Sequence, residues 1–224
     1  MKLVKRPIVI AAIVALLMMS ATGVYAVVAR LSASQVAEEM KQHTLAKAFE
    51  DNNAIAVNET VESGDYAITL MGLTSGANLD DWNEDLDVTH TYAVVALDRL
   101  DGTPLETSTV SLADHTVTGL VSGYAPWVVN NWTLESGVTG YAVDGTYYFL
   151  LDAGELGIFA DHTVYLAYYE GGFVPSAEKF TVAEDGSIAF AGDYQGAHAL
   201  FILPLDPSLA DSAAAEALTA PWLP

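Results

Sequence analysis

Hydrophobic and polar residues follow three successive patterns along the chain. A run of 23 residues from Pro7 to Ala29 carries no charge, is preceded by Lys2, Lys5 and Arg6, and is closed by Arg30. At about 1.5 Å per residue, a helix of that length crosses the roughly 30 Å hydrocarbon layer. Next, Ser32 and Gln35 have the spacing of a capping box, and Val36, Ala37, Met40, Thr44, Leu45, Ala48 and Phe49 recur every three to four residues. That spacing predicts a juxtamembrane helix over about 34–49. From Asn58 the period becomes two, with Tyr66, Ile68 and Leu70 on one side and Ala67, Thr69 and Met71 on the other, the pattern of a strand.

Further β-rich runs occupy 91–97, 107–112, 116–121, 127–134, 141–143, 146–151, 163–169, 179–182, 187–190 and 199–203. Val, Thr, Tyr and Phe dominate many of them, as suits a pleated, half-buried surface. Asp-Gly pairs at 101–102, 144–145 and 185–186 stand between runs, where turns need positive φ. The expected fold is mainly β: a single antiparallel β-sandwich, immunoglobulin-like, without the disulfide of antibody domains because the chain has no cysteine. Asp206-Pro207 opens a C-terminal stretch whose residues 209–218 predict a short helix capping one end of the sandwich, halted before Pro221. The chain thus divides into 1–31, a signal peptide or membrane anchor; 32–57, the juxtamembrane helix and linker; 58–205, an extracytoplasmic β-sandwich; and 206–224, the C-terminal helix and tail.

The N-terminal run also has the parts of a secretory signal: a basic start, the apolar block 8–19, and Val24-Tyr25-Ala26 after a small and polar stretch. Cleavage after Ala26 is one outcome. Retention as an anchor is favoured because the apolar run continues through Val27 and Val28. Either way the basic residues stay in the cytoplasm and the chain beyond Leu31 is exported. From Val27 onward, 29 acids face the five cations Arg30, Lys41, Lys47, Arg99 and Lys179, a net charge of −24. Nucleic acid is excluded as a main ligand, since phosphate binding needs clustered cations and only Arg99 and Lys179 follow Ala48. An exported chain without cysteine fits a bacterial cell surface.

Candidate chemistry is sparse. Asp81, Asn83, Asp85 and Asp87 place oxygen ligands at alternate positions, like the first half of a calcium loop. Leu86 then stands where the EF-hand needs Gly, and Tyr92 where it needs the bidentate Glu, so calcium is the one cofactor candidate and a solvated acidic loop the competing expectation. His43, His90, His115, His162 and His198 show no metal-binding spacing and read as turn or strand-edge residues. Ser122 lacks the first Gly of a nucleophile elbow and reads as a turn residue. Ala-Asp-His-Thr-Val at 113–117 and again at 160–164 reads as shared turn geometry without domain duplication. Trp82, Trp127 and Trp132 are the first suspects for a stacking face. Tyrosines such as Tyr147, Tyr165 and Tyr169 sort by alternation into the core. Asn58-Glu59-Thr60 and Asn131-Trp132-Thr133 fit the short glycosylation pattern, which arises often by chance.

Asn58-Glu59-Thr60, the stretch from Gly64 to Gly72 (Gly-Asp-Tyr-Ala-Ile-Thr-Leu-Met-Gly) and Thr91-Tyr92-Ala93-Val94-Val95 follow a short basic start, an apolar span and a short helix. In this order they resemble the extracytoplasmic domain of unknown function found in Gram-positive bacterial membrane proteins, some of which carry a cytoplasmic anti-sigma-factor domain. Only Met1 to Arg6 precede the apolar run here, so anti-sigma activity is not implied, and the family offers no catalytic residues to transfer. The expected function is a non-enzymatic sensing or protein-interaction module at the cell envelope, with an as yet unknown protein partner. A cell-envelope carbohydrate-binding module is the alternative. N-terminal sequencing of the protein recovered from membranes is expected to find residues 8–28 retained; a mature chain starting at Val27 in the culture medium identifies a cleaved signal instead.

Overall fold

The computed structural model describes residues 30–78 and 86–223, which belong almost wholly to the compact unit Leu31–Pro224. The apolar run 8–28 lies outside the described residues; among these, no helix is long and apolar enough to cross a membrane. Among the described residues, ten strands form antiparallel sheets with no closed barrel: β1 (Ile55–Ser63), β2 (Tyr66–Ser75), β3 (Thr91–Arg99), β4 (His115–Val121), β5 (Gly137–Val143), β6 (Thr146–Ala153), β7 (Val164–Glu170), β8 (Phe180–Val182), β9 (Ile188–Phe190) and β10 (His198–Ile202). They pair as a five-stranded sheet β1-β2-β3-β6-β5, a three-stranded sheet β10-β7-β4 and the hairpin β8-β9.

Alternation along the strands sorts side chains into three apolar layers. Ile68 and Leu70 of β2, Val95 and Leu97 of β3, and Tyr147, Phe149 and Leu151 of β6 meet Val117 of β4, Leu166 and Tyr168 of β7 and Phe201 of β10 in one core between the two larger sheets. The other face of the five-stranded sheet is apolar too. There Met71, Tyr92, Val94, Ala96, Tyr148 and Leu150 pack against two short helices, α1 (Ala33–Glu39) and α2 (His43–Glu50), through Val36, Ala37, Leu45, Ala46 and Ala48. The outer face of the three-stranded sheet carries Leu120, Tyr165, Ala167 and Tyr169, which the β8-β9 hairpin covers with Phe180 and Ile188.

The predicted juxtamembrane helix is therefore two helices. The Ser32–Gln35 capping box forms as expected, but the chain turns at Lys41, whose φ of +62° ends α1 before α2 begins. The Ser34 hydroxyl, donating to Glu50 at 2.8 Å, ties the two helices together. Asp144-Gly145 makes the β5–β6 turn, with both residues at positive φ. The strand expected from Asn58 begins earlier, at Ile55; Asn58 has positive φ within a bulge, which breaks the alternation before it. At the C-terminus a short 3₁₀ turn (Pro207–Leu209) precedes α3 (Ser212–Thr219), whose Ala215 joins the main core.

Two runs predicted as strands are not strands. In 107–112, the Thr109 hydroxyl bonds the backbone of Glu106 in both directions, and the Ser111 hydroxyl accepts from the Ala113 amide while its carbonyl accepts from the His115 amide, so local side-chain and turn bonds curl the segment. In 127–134, Asn130 closes a turn by accepting the Trp132 amide at 3.0 Å, while its amide donates to Pro126 at 2.8 Å. Trp127 and Trp132 are then both exposed, 47% and 64%, and neither enters the core.

The segment 122–136 crosses from β4 in one sheet to β5 in the other, and Gly154 fixes where it lies. A Cβ at Gly154 overlaps the Leu134 carbonyl, whereas one at Gly137 meets nothing within 4 Å. Gly154→Ala is expected to lower stability by about 1–3 kcal/mol and Gly137→Ala by less than about 0.5 kcal/mol; urea denaturation of both variants checks the contrast.

Candidate functional site

β4 and β5 are edge strands of their respective sheets, and a cleft of about 230 Å³ opens between them. Residues 115–118 of β4, Val138 of β5, Asn130–Trp132 and Ser136 of the crossing segment, and Leu112, Phe173 and Pro175 from loops line it. Trp132 and Phe173 stand at its rim with ring centroids 6.0 Å apart, and Phe173 is 49% exposed. Together the two rings form one exposed aromatic patch at the mouth of the cleft.

Asn131 holds the crossing segment to β4. Its amide nitrogen Nδ2 donates to the Val117 carbonyl at 2.7 Å, and its backbone N–H donates to the Thr118 hydroxyl at 3.2 Å. Its Oδ1 is buried with no hydrogen-bond partner, whereas the buried Thr116 hydroxyl interacts with the Tyr169 hydroxyl. A buried polar atom left without a partner costs roughly 1–3 kcal/mol. The Asn131 oxygen carries that cost, closed off from solvent beside the cleft.

The loop bearing Phe173 is held in place by Lys179. Its Nζ donates to the carbonyls of Gly172 at 2.6 Å and Val174 at 3.1 Å, and lies 4.7 Å from the centre of the Tyr169 ring. Burial pushes this ammonium below its ordinary pKa. The Tyr169 hydroxyl donates to the Phe173 carbonyl at 2.9 Å. Gly171 and Gly172, both at positive φ, make the sharp turn that leads out of β7.

His115 lies at the inner end of the cleft, with its Nδ1 2.7 Å from the Tyr168 hydroxyl, 3.9 Å from Glu170 and its ring edge-on to Tyr66. Burial lowers its pKa, with Glu170 and Asp114 acting in the opposite sense. His90 behaves in the reverse way: its Nδ1 meets Asp152 at 2.6 Å, and that bond raises its pKa against the effect of burial. His162 bonds the Ser122 carbonyl, and Ser122 accepts from the Thr163 amide, so Ser122 is the turn residue its sequence context predicted. His198 pairs with the Gly196 carbonyl, and His43 with Glu38. The two Ala-Asp-His-Thr-Val copies flank opposite ends of the β4–β7 pair, with His115 inside a strand and His162 in a turn.

Of the calcium candidate, Asp81, Asn83 and Asp85 lie outside the described residues, as does Trp82. Asp87 accepts the Thr89 amide and hydroxyl at 2.8 and 2.7 Å, bonds that hold its carboxyl below the usual pKa. Among the described residues, no three His, Asp or Glu side chains gather as a metal site would require. Sequence reasoning singled out Trp132 but missed Thr116, Phe173 and Lys179. The one available signal was the Gly171-Gly172 pair placed directly before an apolar Phe173-Val174.

The site belongs to a mainly β protein with an aromatic-rimmed cleft at the open side of two facing sheets. No family model, curated protein or solved structure matches the chain.

The two histidines should give opposite pH signatures. His90 has a raised folded pKa, so the stability it supplies is complete below the unfolded value of about 6.5 and is lost as pH rises through the higher folded value. His115 has a lowered folded pKa, so its contribution is intact above about 6.5 and is lost as pH falls through the lower folded value. Urea midpoints between pH 5 and 8.5 are expected to show the wild-type advantage over His90→Gln shrinking with rising pH, and that over His115→Gln shrinking with falling pH.

Proposed function

We propose that this chain is a non-enzymatic recognition module exposed outside a bacterial membrane, attached through residues 8–28, and that the cleft between β4 and β5 is its binding site. The observation that carries the reading is the pair of exposed aromatic rings, Trp132 and Phe173, standing together at the rim of one cleft. Concave sites that combine aromatic walls with a few placed polar groups are the usual form of binding pockets.

The strand order supports an immunoglobulin-like sandwich. In chain order β2, β3, β4, β5, β6, β7 and β10 take the places of the seven strands of a constant-type domain, with β2-β3-β6-β5 in one sheet and β4-β7-β10 in the other. β1 is then an addition outside the first strand, and β8-β9 an insertion before the last. Such sandwiches commonly serve in cell-surface recognition, although fold by itself does not supply function. The resemblance to extracytoplasmic domains of Gram-positive membrane proteins agrees with this location. The histidines and carboxylates described above are engaged in separate pairs and turns, an arrangement better suited to holding the fold than to turning over a substrate.

A protein partner and an envelope carbohydrate both fall within this reading. The exposed aromatic faces at the rim of the cleft favour the carbohydrate. The test uses the full-length chain in detergent, immobilised and challenged separately with envelope proteins and with wall polysaccharide. One fraction is expected to be retained saturably and without chemical change, with retention falling at least tenfold in Trp132→Ala. Hydrolysis of a retained component, abolished by one Asp or Glu substitution that leaves the melting temperature unchanged, would overturn the proposal.

A further inference from the structure

We infer that β10 is a docking edge, beside which a partner protein adds an extended segment bearing lysine or arginine as a fourth strand of the sheet. β10 lies at the opposite edge of the three-stranded sheet from β4, so neither this site nor the cleft depends on the other.

The bonds at the two ends of β10 fix which way its backbone groups point. The Glu170 amide donates to the Ala197 carbonyl at 3.1 Å, and the Leu203 amide donates to the Val164 carbonyl at 2.9 Å. Direction alternates along an antiparallel strand, so Ala199 and Phe201 also face β7, whereas His198, Leu200 and Ile202 turn their N–H and C=O groups away from it. The Ser63 hydroxyl at the end of β1 accepts the His198 N–H at 3.0 Å, in agreement with that direction. Beyond this one bond, among the described residues, no strand pairs with the outward groups of Leu200 and Ile202.

The other three edges of the two larger sheets are blunted. Along β4 the Val117 carbonyl accepts from Asn131 and the His115 amide donates to the Ser111 carbonyl. On β5 the Ala142 amide donates to the Thr107 hydroxyl at 2.9 Å. β1 is broken by its bulge at Asn58 and carries the exposed charges Glu59 and Glu62. Bulges, charges and covering segments are the usual means of keeping a sheet edge from pairing with another chain. β10 reads His-Ala-Leu-Phe-Ile, without acid, lysine, arginine, glycine or proline, and Ile202 is 63% exposed. In strand addition, main-chain bonds supply affinity and alternate side chains supply specificity. A strand added here lays every second side chain beside Leu200 and Ile202, where apolar residues fit.

Charge selects the occupant. β1 belongs to the stretch 48–98 and β10 to the stretch 180–224, and neither contains a lysine or arginine. Exposed Glu62 adjoins Ser63 at one end of the open edge, and exposed Asp206 follows β10 at the other. A second copy of this chain would bring its own net charge of −21 to the same edge and be repelled. A segment with cations at the positions between its apolar residues is attracted instead.

Amide hydrogen exchange at single-residue resolution, on the full-length chain in non-ionic detergent, tests this with two ten-residue peptides, one alternating valine with lysine and the other valine with glutamate. The lysine peptide should slow exchange of the Leu200 and Ile202 amides at least tenfold and bind at least tenfold more tightly than the glutamate peptide, with added salt narrowing the gap. Ile202→Pro removes an outward N–H and no bond to β7, so it should weaken binding at least tenfold while the melting temperature falls by less than about 4 °C. Ile202→Thr keeps that N–H and should bind within about threefold of wild type. Equal binding of the two peptides, protection confined to residues outside β10, or binding unchanged in Ile202→Pro overturns the inference. Protection of Leu200 and Ile202 that rises with protein concentration before any peptide is added identifies a second copy as the occupant and overturns it as well. If neither peptide slows exchange, β10 is not a docking edge, and the reading of the cleft is untouched.

Discussion

Apolar side chains on both faces of the central strands are the constraint from which the architecture follows. β3 is buried at every position from Thr91 to Leu97, and β2 and β6 nearly so, so a sheet covered on one side alone would leave Tyr92, Val94, Tyr148 and Leu150 in water. At about 25 cal/mol per Å² of apolar surface, that exposure would cost several kcal/mol. Helices α1 and α2 meet the need on one side, and the three-stranded sheet on the other. The same demand repeats on the far face of β7, where Tyr165 and Tyr169 require the β8-β9 hairpin. What stays uncovered is the lateral side between β4 and β5, bridged by the crossing segment, and the cleft lies there.

A second consequence concerns how so acidic a chain uses its charges. With few cations available, several aspartates bond the backbone two residues ahead: Asp87 to Thr89, Asp101 to Thr103, Asp185 to Ser187 and Asp206 to Ser208. Each of these bonds holds its carboxyl below the usual pKa. The acids therefore serve as turn closures as well as solubilising charge. Arg99 and Lys179, the two cations after Ala48, each lie over a tyrosine ring, Tyr66 and Tyr169.

Strong local signals made much of the fold legible in the sequence. Strict alternation at Tyr66–Met71, the β-branched run at 91–97 and the Asp144-Gly145 turn all lie where single residues determine the backbone. The failures share a cause. In 107–112 and 127–134, threonine, serine and asparagine side chains compete for the backbone, and a scale of strand preference does not register that competition. The break at Lys41 was equally invisible, since a non-glycine residue at positive φ leaves little trace in a pattern of apolar spacing. Trp132 was recognisable as a candidate, but its partner Phe173 is 41 residues away, and only the pairing of β4 with β7 brings the two near.

The division of aromatic residues has an optical consequence. The described tryptophans, Trp127, Trp132 and Trp222, are about half exposed or more, whereas Tyr92, Tyr147, Tyr148, Tyr168 and Tyr169 are buried. Emission from those indoles already starts in contact with water in the native state, so unfolding changes their surroundings little. Near-ultraviolet dichroism of the packed tyrosines reports on the interior, while indole fluorescence at these positions reports on the surface.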